Sequence, residues 1–184
     1  MKERNPWKTH ESRVMYDNPW IQVTQHEVTH PDGSPGMYGV VHMKNVATGV
    51  IPIDAEGYTW LVGQWRYSLN AYSWEIPEGG GDLAANPVEA AKRELREETG
   101  LVAERWELLQ KVHTSNSVTD EVGYIYLATG ISRRGEPNPE PSEELALHRV
   151  PFTEAVEMVH RGEITDAISV AGLLRAERRL SSLG

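Results

Sequence analysis

The sequence predicts an α/β protein: a mixed β-sheet flanked by helices, with an antiparallel β extension ahead of it. Three observations lead there. The first third is built of short alternating or apolar runs, a fully punctuated helix follows near residues 87–99, and two amphipathic stretches close the chain at 152–162 and 165–180. Strands that precede and flank helices in this order bury their apolar faces by layering helix on sheet. At 184 residues the chain has the size of one domain, with room for a small appendage.

Taken in order, WIQVTQHEVTH (20–30) alternates up to the turn PDGSPG (31–36), and MYGVVHMK (37–44) resumes as the second strand of a hairpin. GVIPID (49–54) and YTWLVGQWRY (58–67) read as another strand pair around the turn Ala55–Gly57, and SWEIP (73–77) as a short strand leading into a glycine run. The helix then opens with Asn86 as N-cap, Pro87 at its first position and Glu89 at capping-box spacing; Val88, Ala91 and Leu95 share its apolar face, and Gly100 ends it. Strands are expected around 105–113, at GYIYLATGI (123–131) and at LALHRVPF (145–152), with RRGEPNPEPSEE (133–144) as a Pro- and Glu-rich loop.

Composition narrows the function. Hydrophobic residues make up 39% and charged residues 24%, as in a soluble globular protein. No apolar run is long enough to span a bilayer, and MKERNPWKTH lacks the apolar core of a secretory signal, so no membrane partner is expected. The absence of cysteine makes a reducing cytoplasm the default location. A net charge of −9 argues against binding a nucleic-acid backbone; an anionic substrate would need metal ions or a few local Arg and Lys. The six tryptophans are expected mainly in the core.

The chemistry is concentrated in EIPEGGGDLAANPVEAAKRELREETGL (75–101). Glu94, Glu97 and Glu98 crowd the last turns of the helix, where the backbone dipole is negative and each misplaced carboxylate costs roughly 0.3–1 kcal/mol. At helical pitch Glu94 and Glu98 lie about 40° apart and Glu97 about 60° to the other side of Glu94, so all three can face one region. A solvated face with an Arg93–Glu97 ion pair explains part of this pattern but leaves Glu94 and Glu98 as a like-charge pair. A bound cation explains all of it. An all-oxygen donor set selects Mg²⁺, or Mn²⁺, over zinc.

Gly79, position 85 and Arg93-Glu94-Leu95-Arg96-Glu97-Glu98-Thr99-Gly100-Leu101 resemble the Nudix box, G-x5-E-x7-R-E-U-x-E-E-x-G-U. Eight of its nine fixed positions agree, and Ala85 stands where the family has its first Glu. The resemblance implies the Nudix α/β/α sandwich with a mixed sheet. Glu94 and Glu98 would be the principal metal ligands, Glu97 a third ligand or the base, and the main-chain carbonyl of Glu78 a further ligand. Arg93 would orient the glutamates, most plausibly by pairing with Glu97.

The flank VGQWRYSLNAYSWEIPEGG (62–80) is similar to the approach to the box in ADP-ribose and other nucleoside-diphosphate-sugar pyrophosphatases. That comparison implies that Arg66 contacts the substrate diphosphate and Glu75 supports the edge of the site. Residues 1–45 resemble the N-terminal strands of that branch, which pack across a homodimer, leaving 46–184 as the hydrolase domain. Trp20, Tyr16, Tyr67 and Tyr72 are candidates for stacking on the base, with burial in the core or dimer interface as the simpler fate of each. The branch takes its catalytic base from an acidic loop after the box, which points to Glu143 and Glu144, with Glu140 behind them. A second loop, SNSVTDEV (115–122), adds Asp120 and Glu121.

The expected activity is Mg²⁺-dependent hydrolysis of a nucleoside diphosphate sugar, of the ADP-ribose or GDP-mannose type, to nucleoside monophosphate and sugar phosphate. Two rivals stand beside it: a hydrolase of dinucleoside polyphosphates or nucleoside triphosphates, and a non-catalytic nucleotide-binding Nudix module, the latter motivated by Ala85.

Overall fold

The computed structural model describes residues 4–139 and 144–182. Ten strands and three helices follow one another: β1 (Lys8–Asp17), β2 (Ile21–Thr29), β3 (Pro35–Met43), β4 (Asn45–Ile53), β5 (Tyr58–Arg66), β6 (Ala71–Glu75), β7 (Glu78–Asp82), α1 (Pro87–Thr99), β8 (Leu101–His113), β9 (Val122–Arg133), β10 (Ala146–Pro151), α2 (Phe152–His160) and α3 (Ala167–Ser181). They fall into two compact units: the chain up to Asn45 with Ser115–Glu121, and Val46–Thr114 with Val122 onward.

The larger unit is the layered part. Its mixed sheet runs β7-β4-β9-β8, with β4 parallel to β9 and β9 antiparallel to β8; a second sheet, β10-β5-β6, is antiparallel. Successive strand residues point to opposite faces, and both faces are buried. Val50, Trp60, Tyr126 and Ala128 pack with Ala91 and Leu95 of α1, whereas Ile51, Leu61, Ile125 and Leu127 pack with Ala155, Val156 and Leu173 of α2 and α3. Helices therefore cover both faces, the α/β/α arrangement.

Four elements differ from the reading of the sequence. β4 and β5 do not pair: β4 lies between β7 and β9, and β5 between β6 and β10. A turn between two apolar runs reads as a hairpin, but each run is buried on both faces and finds its own neighbours. The Asp54–Gly57 turn, in which the Asp54 carboxylate accepts the amides of Glu56 at 2.9 Å and Tyr58 at 3.0 Å, carries the chain from one sheet to the other. β7 is a strand made largely of glycine, where β-propensity is lowest. β1 is exposed along its whole length and has no apolar stripe to announce it. The tryptophans also depart from expectation, since only Trp60 of the six is buried.

The smaller unit is an antiparallel sheet in the order β1-β2-β3, with residues 115–121 laid along β3. Val41 and Val118 share a backbone hydrogen bond of 2.8 Å, and the Tyr38 hydroxyl donates to the Ser117 carbonyl at 2.5 Å. Across the sheet, side chains join in one file: Ser12 to His26 at 2.7 Å, His26 to Thr24 and Thr24 to His42 at 2.8 Å each, and His42 to Asp120 at 2.6 Å.

Candidate active site

The site is assembled on α1 and on the strand segment it packs against. Asn86 caps the helix in extended geometry, its side chain accepting the Val88 amide at 3.2 Å, and Gly100 stops it at φ 70°. The Glu89 carboxylate pairs with Lys92 at 2.8 Å, so the reciprocal half of the expected capping box does not form. Close approach of α1 to β7 requires glycine. A Cβ at Gly79 would meet the Glu94 carboxyl carbon at 2.2 Å.

Arg93 organises the exposed side of the glutamate row. Its Nη2 donates to Glu94 Oε1 and to the Gly80 carbonyl, both at 2.6 Å, and its Nη1 donates to Glu97 Oε2 at 3.2 Å. Glu98 is turned inward, 2% exposed, and its Oε2 accepts the backbone N–H of Glu78 at 3.0 Å. Glu94 thus lies against Gly79 and Glu98 against the Glu78 amide, two successive residues at the start of β7.

A second network lies beside the first. Arg66, at the end of β5, donates through Nε to Glu75 Oε1 at 2.8 Å, through Nη2 to Glu75 Oε2, and through Nη2 to Glu78 Oε1 at 2.8 Å. Gln64 adds a bond to Glu75 at 3.3 Å. Burial, followed by the charges of Asp166 and Glu75, pushes the Glu78 carboxyl well above the ordinary glutamate range against the pull of Arg66. Glu78 Oε2 is buried and accepts from no donor group, and the Asp166 carboxyl lies within hydrogen-bonding reach of the Glu78 carboxyl. Although burial disfavours its charge, the carboxylates hold the Arg66 guanidinium above its usual range.

Segment 76–79 is gripped from several sides. Ser169 Oγ accepts the Ile76 amide at 3.0 Å, Val50 donates to the Pro77 carbonyl at 2.8 Å, and Thr48 donates to the Gly79 carbonyl at 3.3 Å. Asp166 caps α3 by accepting the Ser169 amide at 2.7 Å. Reading the sequence assigned no role to Asp166 or Ser169. Their D-x-x-S spacing announces a helix start, but only tertiary packing brings that start to β7.

The remaining sequence candidates are distributed otherwise. Tyr67 and Tyr72 are exposed in the larger unit, and Trp20 and Tyr16 are exposed in the smaller one; none lies in the core. Glu144 is exposed just ahead of β10 and takes no part in the Arg66 or Arg93 networks. Glu140 and Glu143 lie outside the described residues. Asp120 bonds to His42 and to the Met43 amide within the smaller unit. A separate concavity, lined by Trp60, Leu101, Ile131, Leu147, Asp54, Arg133 and Arg149, contains none of the site carboxylates. Its Arg149 is already neutralised by Asp54 and Glu56.

The donor set suits a hard divalent cation: carboxylate and carbonyl oxygens, with neither thiolate nor imidazole among them. Among the described residues no three carboxylate or imidazole groups converge into a closed ligand set. Glu94 and Glu97 instead spend oxygens on Arg93, and the Glu94 carboxyl lies directly over the Gly79 backbone. A row of glutamates on one helix face, spaced by an arginine and set against a glycine-rich strand, is the arrangement of a Nudix helix.

Comparison with known proteins agrees. Residues 43–171 match the NUDIX domain family, and residues 7–41 match the nucleoside diphosphate sugar hydrolase N-terminal domain. The chain belongs to the Nudix family. An ADP-ribose pyrophosphatase of Mycobacterium tuberculosis is 37% identical over 130 residues, which is 70% of this chain but only 63% of that protein. An ADP-ribose pyrophosphatase of Bacillus subtilis is 27% identical over 161 residues, covering 87% of this chain and 86% of the relative. The crystal structure of an ADP compounds hydrolase superposes with a TM-score of 0.87 over 100% of this chain and 99% of that one. At 20% identity, that last likeness speaks for the fold alone.

Proposed function

We propose that this chain is a divalent-metal-dependent pyrophosphatase acting on nucleoside diphosphate sugars of the ADP-ribose or GDP-mannose type, releasing nucleoside monophosphate and sugar phosphate. The observation that carries the reading is the placement of Glu94, Glu97 and Glu98 on one helix against β7, with Arg93 spacing two of them and the Glu78 amide holding the third. The names of the two relatives and the match of residues 7–41 support the substrate class.

Glu94, Glu97, Glu98 and the main-chain carbonyl of Glu78 would hold Mg²⁺ or Mn²⁺. When bound, such an ion neutralises charge building on the diphosphate and acidifies water. The chain's own residues do the rest. Arg66, locked side-on by Glu75, keeps the two N–H groups of Nη1 for a phosphoryl oxygen. Arg93 sets the spacing of Glu94 and Glu97. A proton from the attacking water would pass to Glu97 or Glu98, or to the loop carboxylates Glu143 and Glu144. Tyr67, exposed in the larger unit, would be free to stack on the nucleotide, and Trp20, exposed in the smaller unit, is a separate stacking candidate.

The smaller unit would mediate a homodimer. β1 is a fully exposed edge strand whose unpaired backbone edge and three consecutive exposed residues, Val14, Met15 and Tyr16, are of the kind proteins cover. A cytoplasmic location fits the absence of cysteine. Among the described residues no helix is long and apolar enough to cross a membrane.

The test is a substrate panel of ADP-ribose, GDP-mannose, UDP-glucose, a dinucleoside polyphosphate and a nucleoside triphosphate, at saturating Mg²⁺. Nucleoside monophosphate and sugar phosphate from the first three support the reading. Pyrophosphate release from the triphosphate alone refutes it, as does ligand-induced stabilisation without turnover.

A further inference from the structure

Arg66 offers two forks for bidentate recognition. The side-on fork, Nε with one N–H of Nη2, is filled by the two oxygens of Glu75. The end-on fork pairs the second N–H of Nη2 with Nη1, and its Nη2 half is bonded to Glu78 Oε1 at 2.8 Å. Glu78 makes this contact from a poor position. Its side chain is only 12% exposed, and it shares its surroundings with the carboxylates of Glu75 and Asp166. The bond from Arg66 Nη2 holds Glu78 there. Phosphoryl oxygens approach arginine through the same fork.

We propose that the Glu78 side chain is a built-in stand-in for a phosphoryl oxygen: it fills half of the end-on fork of Arg66 and is displaced when a diphosphate binds. This rests on the reading of Arg66 as a phosphate contact and makes Glu78 a determinant of substrate affinity. While Glu78 is in place, a phosphate reaches Arg66 only through Nη1. Once Glu78 swings away, the full fork opens. The obstruction is one of hydrogen-bond occupancy, because Oε1 accepts from Nη2 whether or not the carboxyl is protonated.

That property separates occupancy from simple charge repulsion. Glu78→Gln keeps a carbonyl oxygen on the fork and removes the charge; Glu78→Ala removes both. The probe is inorganic pyrophosphate in metal-free buffer with chelator, measured by calorimetry, so that only the arginine contact is read. We expect Glu78→Ala to bind about tenfold more tightly than wild type, the scale of one charge-assisted hydrogen bond, and Glu78→Gln to stay within about twofold. In the Arg66→Ala background the gain from Glu78→Ala should vanish. Equal tightening by Gln and Ala overturns the proposal, as does a gain that survives without Arg66. No gain in Glu78→Ala, including no measurable binding in either protein, overturns it too. Thermal melts check folding, and Glu78→Ser, too short to reach the fork, reads the same contact should the alanine variant not fold. Turnover of ADP-ribose by wild type is scored separately. Tightening without any wild-type turnover would leave the fork proposal standing and the enzymatic reading fallen.

Discussion

The carboxylate of Glu98 accepts the backbone N–H of Glu78 at 3.0 Å, joining the inward end of α1 to the first residue of β7. One side chain thereby serves two ends: it satisfies a backbone donor and places a buried carboxyl group beside the carbonyl proposed as a ligand. The two uses can be separated by mutation. Glu98→Gln keeps an acceptor for the amide and loses the charge, so kcat should fall by about 10²–10⁴-fold with little change in melting temperature. Glu98→Ala orphans the amide and should in addition cost about 1–3 kcal/mol of stability. Near-wild-type turnover of the glutamine variant at saturating Mg²⁺ would remove Glu98 from the mechanism.

Arg93 reaches three acceptors at once, on Glu94, Glu97 and Gly80. Only a planar, branched cation can do this, so Arg93→Lys should not rescue Arg93→Ala. Both variants should need more Mg²⁺ for half-maximal activity while keeping their fold. A lysine variant with wild-type metal dependence would reduce Arg93 to a surface cation.

Metal should stabilise the folded chain. Binding to the native state alone raises stability by about 2.7 kcal/mol at one hundred times the dissociation constant. Melting temperature should therefore climb with Mg²⁺ or Mn²⁺, and the climb should flatten in a Glu94→Gln, Glu98→Gln double variant. An equal response of both proteins would place the ion elsewhere.

Ser169 anchors the other side of the same segment by accepting the Ile76 amide at 3.0 Å from a fully buried position. Its replacement by alanine leaves that amide unpaired and should cost about 1–3 kcal/mol in denaturant unfolding, with Thr recovering part of the loss. Unchanged stability would show that the hydroxyl is dispensable.

In the smaller unit the pH response has a definite sign. Partial burial pushes Asp120 up, but the hydrogen bonds from His42 and the Met43 amide outweigh it and hold the carboxyl below the ordinary aspartate value. A pKa depressed on folding contributes stability above the unfolded value, about 3.9, and loses it as pH falls through the folded one. The stability advantage of wild type over Asp120→Asn should be present at neutral pH and fade in acid. It should be modest, because Asp120 is half exposed. A difference that does not change with pH would contradict this.

Most of α1 was legible in advance because its signals are local. Cap, first-turn proline, apolar face and terminating glycine all lie within one helix length, and the glutamate spacing follows from helical pitch. The same holds for β2, β3, β5 and β9, whose alternation or apolar runs announce them. β7 was not legible, because a run of glycine has no preference of its own and becomes a strand only when β4 offers an edge and α1 needs a surface without side chains. Nor was the destination of β4 and β5, since a turn specifies the bend and not the partner. The exposed tryptophans were misjudged for a related reason: hydrophobicity states a preference for burial, while burial itself depends on what the fold has left to cover.

Local chemistry in the sequence therefore named what the candidate site is made of, an oxygen-rich helix preceded by glycine, with Arg66 and Arg93 beside it. Which atoms meet was decided only by packing. Arg66 faces Glu75 and Glu78, and Ser169 reaches Ile76 across 93 residues of chain. Hydrogen-bond partners so distant are chosen by the arrangement of layers, which depends on the whole core at once and on no short stretch of it.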